Sequence, residues 1–571
     1  MNSDIKSPWL KNYGDVPASL DYPDCSMAEL LFETAKSCPN QAAFSFMGRD
    51  KSYAELVQKI DSCARSFAAL GVRRGTRVML CLPNIPQAVI CFYALNLIGA
   101  VAVMVHPLAG ECELEGYINS SNSRVIVTLD QLYCKFAAIG RRISLPTLVI
   151  ARIQDALSPI KRLGYSLYRS GRPHKIPEMY GILSWTAFVN GGRAFRGDYV
   201  CKGSGNIPSA ILYSGGTSGK TKGVLLSNLN FNALGMQTRA MGHCIEPGGS
   251  MLSVMPVFHG FGLGVCIHTI LISGCCCILV PRFNVKTYAE LIKKHRPNYI
   301  AGVPTLFEAL LRDDTLAGID LSCLSGVFSG GDSLSSELKR RFDDFLAAHG
   351  SKVHLREGYG TTECVTASCL TPYNIEKEGS IGLPFPDMFY KIVKPGGCRE
   401  LPYGEAGEIC ISGPTVMLEY TDMPDETARA LRRHPDGRIW LHTGDIGCMD
   451  SDGFIYFLRR MNRTIVSSGY SISPAQLESV INSHPDVETS CVIGIPDSYR
   501  MQRPKAFVVL RRGVEDSPEL RQSIIEYCRK NIAKYAMFKE LEILPELPKT
   551  PVGKIAYSQL EAAETAKSAL H

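Results

Sequence analysis

Helical and strand-like patterns alternate between residues 27 and 200, and this alternation constrains the fold more than any other feature of the chain. Residues 28–32 and 53–56 have helical patterns, residues 77–82 form an apolar run typical of a buried strand, and residues 87–97 return to a helical pattern. Such alternation is typical of βαβ units, whose strands lie parallel in one sheet. The sequence therefore predicts an α/β fold with a largely parallel sheet flanked by helices.

The length of the chain predicts more than one domain, because single cores stop growing at about 250–300 residues and this sequence has 571. A polar, basic stretch at residues 459–463 separates a strand-like run from a shorter segment in which α and β patterns resume. We predict a large N-terminal domain of several subdomains with mixed or parallel sheets over residues 1–461, and a small, mobile α+β domain over residues 462–571. Within the small domain the patterns predict a helix opening at residues 473–478, strands at 491–495 and 506–510, and a helix at 518–534.

Composition excludes several classes of protein. Hydrophobic residues make up 45% of the chain and the formal net charge is +6, which fits a globular protein and gives no argument for a nucleic-acid partner. The 21 cysteines lack the paired spacing of zinc sites or of a secreted disulfide framework, which indicates a reducing cytoplasm. The longest apolar stretch, residues 265–280, is shorter than the roughly 20 residues of a spanning helix, so we expect buried core and no transmembrane segment. Basic and apolar residues interleave at residues 152–177, which indicates either a solvated insertion or a peripheral membrane contact. The sequence leaves the oligomeric state open.

The segment from Leu212 to Val224, LYSGGTSGKTKGV, is rich in glycine, hydroxyl groups and lysine. Such a loop can surround a polyphosphate with N–H, hydroxyl and ammonium groups. It nearly matches a P-loop, but Ser214 stands where that pattern requires glycine, and residues 223–226 indicate a strand where a P-loop requires a helix. We predict a phosphate-binding loop between two strands; a P-loop ATPase or kinase and an ordinary hairpin are the alternatives. The candidate phosphate-binding residues are Ser214, Gly215, Gly216, Thr217, Ser218, Gly219 and Lys220.

Further segments follow this loop in a fixed order. They are Gly358-Tyr359-Gly360-Thr361-Thr362-Glu363, Thr443-Gly444-Asp445, Arg460 and Pro551-Val552-Gly553-Lys554. Each alone has an ordinary explanation as a turn, a cap or a solvated lysine. In this order and at these separations, together with the loop at 212–224, they resemble the adenylate-forming superfamily, and within it the acyl-CoA synthetases. The resemblance extends over nearly the whole chain.

The resemblance implies ATP, Mg²⁺ and CoA as cofactors and a carboxylic acid as substrate. A carboxylate resists nucleophilic attack, and coupling it to AMP supplies a good leaving group. The transition state gathers negative charge at the α-phosphate, which Mg²⁺ and lysine are suited to stabilise. Accordingly, Glu363 would hold Mg²⁺, Thr362 would contact the α-phosphate, and Lys554 would bridge the substrate carboxylate and the α-phosphate.

The resemblance also assigns residues to the nucleoside. Tyr359 would stack on adenine, Asp445 would accept hydrogen bonds from the ribose hydroxyls, and Arg460 would assist Asp445. The nucleotide residues implied in this way are Gly331, Asp332, Tyr359, Gly360, Thr361, Asp445 and Arg460.

An apolar region adjoins these motifs. Phe258-His259-Gly260-Phe261-Gly262 resembles the family's segment between nucleotide and acyl pocket, where the histidine lines the site; a lone histidine in an apolar run is also commonly a core residue. Residues 263–280 and 302–306 are rich in small and apolar side chains. They form either the wall of a pocket for an apolar chain or ordinary core.

The second domain would serve the transfer step. In the family it rotates after adenylation, withdrawing the lysine so that CoA can attack. Ser468-Gly469-Tyr470 resembles the glycine-containing loop that lines the CoA tunnel. Asn462 stands at the hinge, where the family usually has Asp or Lys, and Val466 stands where many members have a lysine.

The function predicted from these residues is ATP-dependent activation of a medium- or long-chain fatty acid to an acyl-adenylate, followed by transfer to CoA. The products are acyl-CoA, AMP and pyrophosphate. Alternatives within the class are a ligase for aryl or other bulky hydrophobic acids and an acyl-AMP ligase that uses a carrier protein. Outside it, a silent nucleotide or acyl binder would explain the unusual hinge, but it gives no role to Glu363, Asp445 and Lys554.

Overall fold

The computed structural model describes residues 6–157, 161, 181–214, 221–461, 465–467, 470–472, 474–497, 501–532, 536–550 and 553–568. The strands are β1 (Ala42–Phe46), β2 (Arg49–Ser52), β3 (Arg77–Cys81), β4 (Val101–Met104), β5 (Val125–Leu129), β6 (Thr147–Ala151), β7 (Ile182–Ser184), β8 (Pro208–Ser214), β9 (Lys222–Ser227), β10 (Ser250–Ser253), β11 (Cys276–Leu279), β12 (Tyr299–Gly302), β13 (Gly326–Gly330), β14 (Leu355–Tyr359), β15 (Cys369–Leu370), β16 (Leu383–Pro384), β17 (Phe389–Val393), β18 (Gly407–Ser412), β19 (Glu419–Tyr420), β20 (Leu431–Arg433), β21 (Ile439–Met449), β22 (Ile455–Arg460), β23 (Ile465–Ser467), β24 (Tyr470–Ile472), β25 (Val487–Asp497), β26 (Met501–Leu510) and β27 (Glu540–Ile543).

The helices alternate with these strands. They are α1 (Met27–Ser37), α2 (Tyr53–Ala69), α3 (Pro86–Ile98), α4 (Glu111–Ser121), α5 (Tyr133–Ile139), α6 (Trp185–Gly192), α7 (Asn228–Gly242), α8 (Ile270–Ile272), α9 (Val285–His295), α10 (Pro304–Arg312), α11 (Ser336–Ala348), α12 (Pro424–Ala430), α13 (Pro474–Asn482), α14 (Pro518–Asn531) and α15 (Tyr557–Ser568), with a π-helix at Phe261–Thr269. Helices α1 and α2 begin with capping boxes, Ser26 with Glu29 and Ser52 with Glu55, so the sequence itself fixes where they start.

Two large sheets form the N-terminal domain. The nine-stranded sheet has the order β16-β15-β14-β13-β12-β10-β11-β1-β2 and is parallel from β14 to β1. The eight-stranded sheet has the order β19-β9-β8-β4-β3-β5-β6-β7 and is parallel from β8 to β7. Every residue of α3 is buried, as expected for a helix that is apolar on all sides and packed inside a large domain.

A third, antiparallel sheet has the order β17-β18-β21-β20, with β22 paired to β21. The small domain contains the order β24-β23-β26-β25, with β27 parallel to β26, and the helices α13 to α15. The main apolar core ends at Ile455, whereas the apolar clusters of the small domain begin at Ile465. The predicted fold class, a large α/β domain of mixed and parallel sheets followed by a small α+β domain, is confirmed.

Most predicted elements have the expected type, and their ends shift by a few residues. The helix predicted to reach Lys534 ends at Asn531. The loop after Ser214 joins two antiparallel strands, β8 and β9, as the sequence predicts. Of the basic segment at 152–177, only residues 152–157 and 161 lie in the described part of the chain. Within the described residues, no helix combines the length and the apolar character needed to cross a membrane.

Candidate active site

Two of the predicted nucleotide motifs, at residues 330–332 and 358–363, lie at the carboxyl edge of the nine-stranded sheet. Strands β13 and β14 are parallel neighbours, and Gly330 pairs with Gly358 at their ends. The segments that follow, with Gly331 and Asp332 after β13 and with Thr362 after β14, therefore leave the sheet side by side. Ligands of open α/β sheets bind at this edge. A Cβ atom on Gly360 would lie 1.9 Å from the carbonyl oxygen of Thr366, so only glycine fits there.

The turn that carries Glu363 is strained and held by distant contacts. Val365 has φ 64° and ψ −57°, and the N–H of Thr366 donates to the carbonyl of Cys364 at 2.8 Å, which is a γ-turn that β-branched residues rarely adopt. The hydroxyl of Tyr420 donates to Oε1 of Glu363 at 2.7 Å. Such strain persists only where surrounding contacts impose it, and it clusters at functional sites.

Asp445 is fully buried on β21 and has one carboxylate oxygen that accepts no hydrogen bond. The hydroxyl of Tyr359 donates to Oδ2 at 2.6 Å. Arg460 lies opposite on β22, with its Nε 3.2 Å from Oδ1, but no described residue donates a hydrogen bond to Oδ1. Burial raises the pKa of Asp445, and the charge of Arg460 opposes that rise. A buried acceptor without a donor is costly unless a ligand supplies one.

Lys554 of the small domain reaches this cleft. A Cβ atom on Gly331 would lie 3.6 Å from Cε of Lys554. Burial lowers the pKa of Lys554; the charge of Arg460 lowers it further, whereas the carboxylates of Asp332, Asp445 and Glu363 oppose this shift. Predicted site residues of the large domain and the predicted catalytic lysine of the small domain thus face one another.

The turn around Lys554 is closed by its own hydrogen bonds. The N–H of Thr550 donates to the carbonyl of Lys554 at 2.6 Å, and the N–H of Lys554 donates to Oγ1 of Thr550 at 3.1 Å. One bond from the large domain joins it, from Oγ1 of Thr305 to the carbonyl of Gly553 at 3.4 Å.

His259 adjoins the same cleft as a neutral ring. A Cβ atom on Gly260 would lie 1.7 Å from the carbonyl oxygen of Val365, so this segment touches the turn after Glu363. Burial and the charge of Lys554 lower the pKa of His259 to about 3. Its Nδ1 accepts the N–H of Phe261 at 3.2 Å, which leaves the ring proton on Nε2. His259 is therefore a hydrogen-bond donor at neutral pH.

The apolar region beyond His259 is a buried π-helix, Phe261–Thr269. It packs closely against α7, because a Cβ atom on Gly264 would lie 2.6 Å from Cδ2 of Leu234. π-Helical turns often occur at functional sites. The acyl-pocket assignment of residues 263–280 and 302–306 stays a prediction.

Several predicted residues lie outside the described part of the chain: Gly215, Gly216, Thr217, Ser218, Gly219 and Lys220, the hinge residue Asn462, and Ser468 and Gly469. Ser214 ends β8 and pairs with Lys222. Tyr470 lies in β24. Sequence reasoning missed Tyr420, which holds Glu363 from β19; no motif surrounds it, and only the fold brings it to this position.

This cleft, with carboxylates at a sheet edge and a lysine supplied by the second domain, defines a two-domain enzyme of the adenylate-forming type. More particularly, the chain belongs to the AMP-binding enzyme family: that family's model matches residues 31–421, and the model of the AMP-binding enzyme C-terminal domain matches residues 476–554. The family predicted from the motifs is confirmed.

Relatives and solved structures agree with this membership. The chain is 33% identical to a long-chain-fatty-acid–CoA ligase of Bacillus subtilis over 98% of both chains, and 31% identical to one of Salmonella typhimurium over 97% of this chain and 98% of the relative. Its fold is similar to the anthranilate CoA ligase AuaEII in complex with anthranoyl-AMP, with a TM-score of 0.83, 22% identity, and coverage of 98% and 99%. The fold is also similar to ATP-bound MatB from Rhodopseudomonas palustris, with a TM-score of 0.81 and 23% identity; the match covers 95% of this chain and 99% of MatB.

Proposed function

We propose that this protein activates a medium- or long-chain fatty acid with ATP to an acyl-adenylate and then transfers the acyl group to CoA. The observation that carries the proposal is the position of Lys554, half-buried in the cleft and facing the charges of Asp332, Glu363, Asp445 and Arg460. The names of the relatives from Bacillus and Salmonella support CoA as acceptor and a long-chain fatty acid as substrate.

In the adenylation step, Lys554 binds the substrate carboxylate and the α-phosphate together and neutralises the charge that develops between them. Glu363 is the residue that would hold Mg²⁺, since its carboxylate is a hard oxygen ligand fixed in place by Tyr420. Mg²⁺ would supply charge neutralisation at the phosphates. Thr362, adjacent to Glu363, contacts the α-phosphate.

The nucleoside is held by residues of β14, β21 and β22. Oδ1 of Asp445 accepts hydrogen bonds from the ribose hydroxyls. No described residue donates a hydrogen bond to this oxygen, and the ribose supplies that donor. The charge of Arg460 favours the ionised form of that carboxylate, and Tyr359 stacks on adenine beside Gly331. His259 donates from Nε2 toward the reacting carboxylate.

The domain boundary is part of the same proposal. Residues 462–571 rotate about Asn462 after adenylation, which withdraws Lys554 and brings the loop at 468–470 to the pantetheine arm of CoA. With ATP and CoA as substrates, and with 21 cysteines that form no disulfide in the described part of the chain, the cytoplasm is the compartment that fits.

The test is acid-dependent formation of AMP and thioester over a panel of fatty, aryl and bulky alicyclic acids, with and without CoA. AMP and acyl-CoA appearing together for fatty acids of medium or long chain is the expected result. Acyl-AMP without thioester would point to an acyl-AMP ligase with a carrier protein as acceptor. Turnover restricted to aryl acids would overturn the substrate assignment, and no turnover with any acid would favour a silent binder.

A further inference from the structure

The antiparallel third sheet contains a cluster of metal-ligating side chains away from the nucleotide cleft. Cys398, His434 and His442 each place a ligand atom within 4.8 Å of the other two, and Glu408, Cys410 and His442 form a second such group. The two groups share His442. Apart from Cys398, which is partly exposed, these side chains are buried.

Strand register explains how the cluster forms. Cys410 on β18 lies directly opposite His442 on β21. Glu408 is two residues before Cys410 and so points to the same face of the sheet. His434 begins the turn that joins β20 to β21, and its ring stacks on Trp440 with centroids 5.6 Å apart. Cys398 comes from the loop between β17 and β18.

The two histidines face each other through ring nitrogens. Their Nε2 atoms are 3.0 Å apart. Nδ1 of His442 lies 2.9 Å from Oε2 of Glu408, so the neutral ring donates its Nδ1 proton to that carboxylate and leaves the Nε2 lone pair free to accept or to ligate. No described residue pairs with Nδ1 of His434. If His434 carries its proton on Nδ1, both Nε2 lone pairs are directed to the space between the rings.

We propose that Cys398, His434 and His442 bind one zinc ion, with Glu408 orienting His442 from behind and Cys410, whose Sγ lies within 4.8 Å of a ring nitrogen of His442, as a fourth donor. Two imidazoles and thiolates are the donor set that Zn²⁺ prefers. Ligands about 2.0 Å from a tetrahedral ion lie about 3.3 Å apart, so the two nitrogens need to separate by only a few tenths of an ångström. A carboxylate behind a ligating histidine is the usual supporting contact of such sites.

Charge balance supports a divalent cation here. Lys391 is already paired with Asp436, and its Nζ lies 4.2 Å from the centroid of the Trp440 ring, on which His434 stacks. With the carboxylate of Glu408 and the thiolate of Cys398 beside it, a bound Zn²⁺ would complete a cluster of zero net charge, which limits the cost of burying the ion. The ligands come from separate elements, and for this reason their spacing in the sequence does not match a zinc motif.

The first test is metal binding by the whole protein. We expect the purified protein to contain about one zinc per chain by elemental analysis. After removal of metal with a chelator, Co²⁺ should produce the thiolate charge-transfer and visible absorption of a tetrahedral site, and Zn²⁺ should raise the melting temperature because it binds the folded state. Protein with neither zinc nor a cobalt spectrum would overturn the proposal.

Variants identify the ligands. Cys398→Ser and His434→Gln should each lose the bound zinc, the cobalt spectrum and the zinc-dependent rise in melting temperature. Glu408→Gln should keep the site but weaken zinc affinity about 10- to 100-fold. The matched control is Cys448→Ser, a cysteine on β21 that is partly buried like Cys398 but belongs to neither group, and this variant should bind zinc as the unaltered protein does. If Cys398→Ser and His434→Gln bind cobalt as well as Cys448→Ser does, the metal sits on other thiols and the proposed site is wrong.

Discussion

Replacing Lys554 with alanine tests the proposed mechanism most directly. The side chain is half-buried in the cleft, and its ammonium group faces Asp332, Glu363 and Asp445. Removal of one preorganised charge-stabilising donor from a buried site costs about 2.7–4 kcal/mol, or about 10²–10³-fold in rate. We expect this loss in single-turnover formation of acyl-AMP. The control is Lys549→Ala, an exposed lysine of the same turn, which should change the rate by less than about twofold.

The fold should tolerate Lys554→Ala, and proton linkage gives the direction of its effect on the free energy of unfolding. Burial lowers the folded-state pKa of Lys554, so the unfolded chain binds more protons between that pKa and the ordinary lysine value of about 10.4. The charged lysine therefore costs stability at neutral pH, and this cost fades as the pH rises through that window. Lys554→Ala should melt no lower than the unaltered protein at pH 7.

The thioester-forming half-reaction distinguishes a specific loss of adenylation from general misfolding of the variant. When synthetic acyl-AMP and CoA are supplied, Lys554→Ala should still form thioester, because the lysine has left the cleft at that stage of the proposed cycle. Near-normal acyl-AMP formation in the variant would refute the role of Lys554. If a folded Lys554→Ala variant loses both half-reactions equally, the proposal that Lys554 acts only in adenylation is wrong.

Three further perturbations test other parts of the site. Asp445→Asn should lower kcat/KM for ATP about 10- to 100-fold, as for loss of hydrogen bonds to a charged group; the penalty for 2′-deoxy-ATP should shrink in this variant, and an unchanged penalty would contradict the ribose assignment. Tyr420→Phe should weaken Mg²⁺ binding by about 0.5–1.5 kcal/mol, so the Mg²⁺ concentration needed for half-maximal rate should rise severalfold and saturating Mg²⁺ should restore the rate. A loss of rate that saturating Mg²⁺ does not restore would contradict the role of Tyr420 in positioning Glu363. Because the pKa of His259 is about 3, the ring stays neutral from about pH 5 to 8, and we expect no inflection from His259 in the pH–rate profile over that range. An inflection in that range that disappears in His259→Gln would show that the histidine titrates there.

The chain order of the motifs predicted the family and most of the residues that meet in the cleft. Asp445 and Arg460, for example, were assigned to one function and lie opposite each other on β21 and β22. Tyr420 could not be found, because its contact with Glu363 joins residues 57 positions apart through β19 and a γ-turn. The strained backbone of Val365 has no signal in the sequence, since valine favours extended conformations.

The cluster at Cys398, His434 and His442 was missed for a related reason. Sequence spacing reveals metal sites whose ligands lie on one short motif, whereas these three side chains come from the loop between β17 and β18, the turn between β20 and β21, and β21 itself. The choice between acyl pocket and core for residues 263–280 also depends on packing, because small apolar side chains serve both purposes.

The self-closed turn around Lys554 has a kinetic consequence for the proposed cycle. Thr550 and Lys554 bond each other in both directions, whereas one long bond from Thr305 joins the turn to the large domain. In the proposed cycle the lysine can therefore be withdrawn without breaking these bonds, and we expect the barrier to switching between half-reactions to arise from separating the domain surfaces. Arg312 of α10 and Glu488 of β25 form an ion pair across those surfaces. Residues that do not contact any substrate would therefore affect the turnover rate, because they set the lifetime of each domain arrangement.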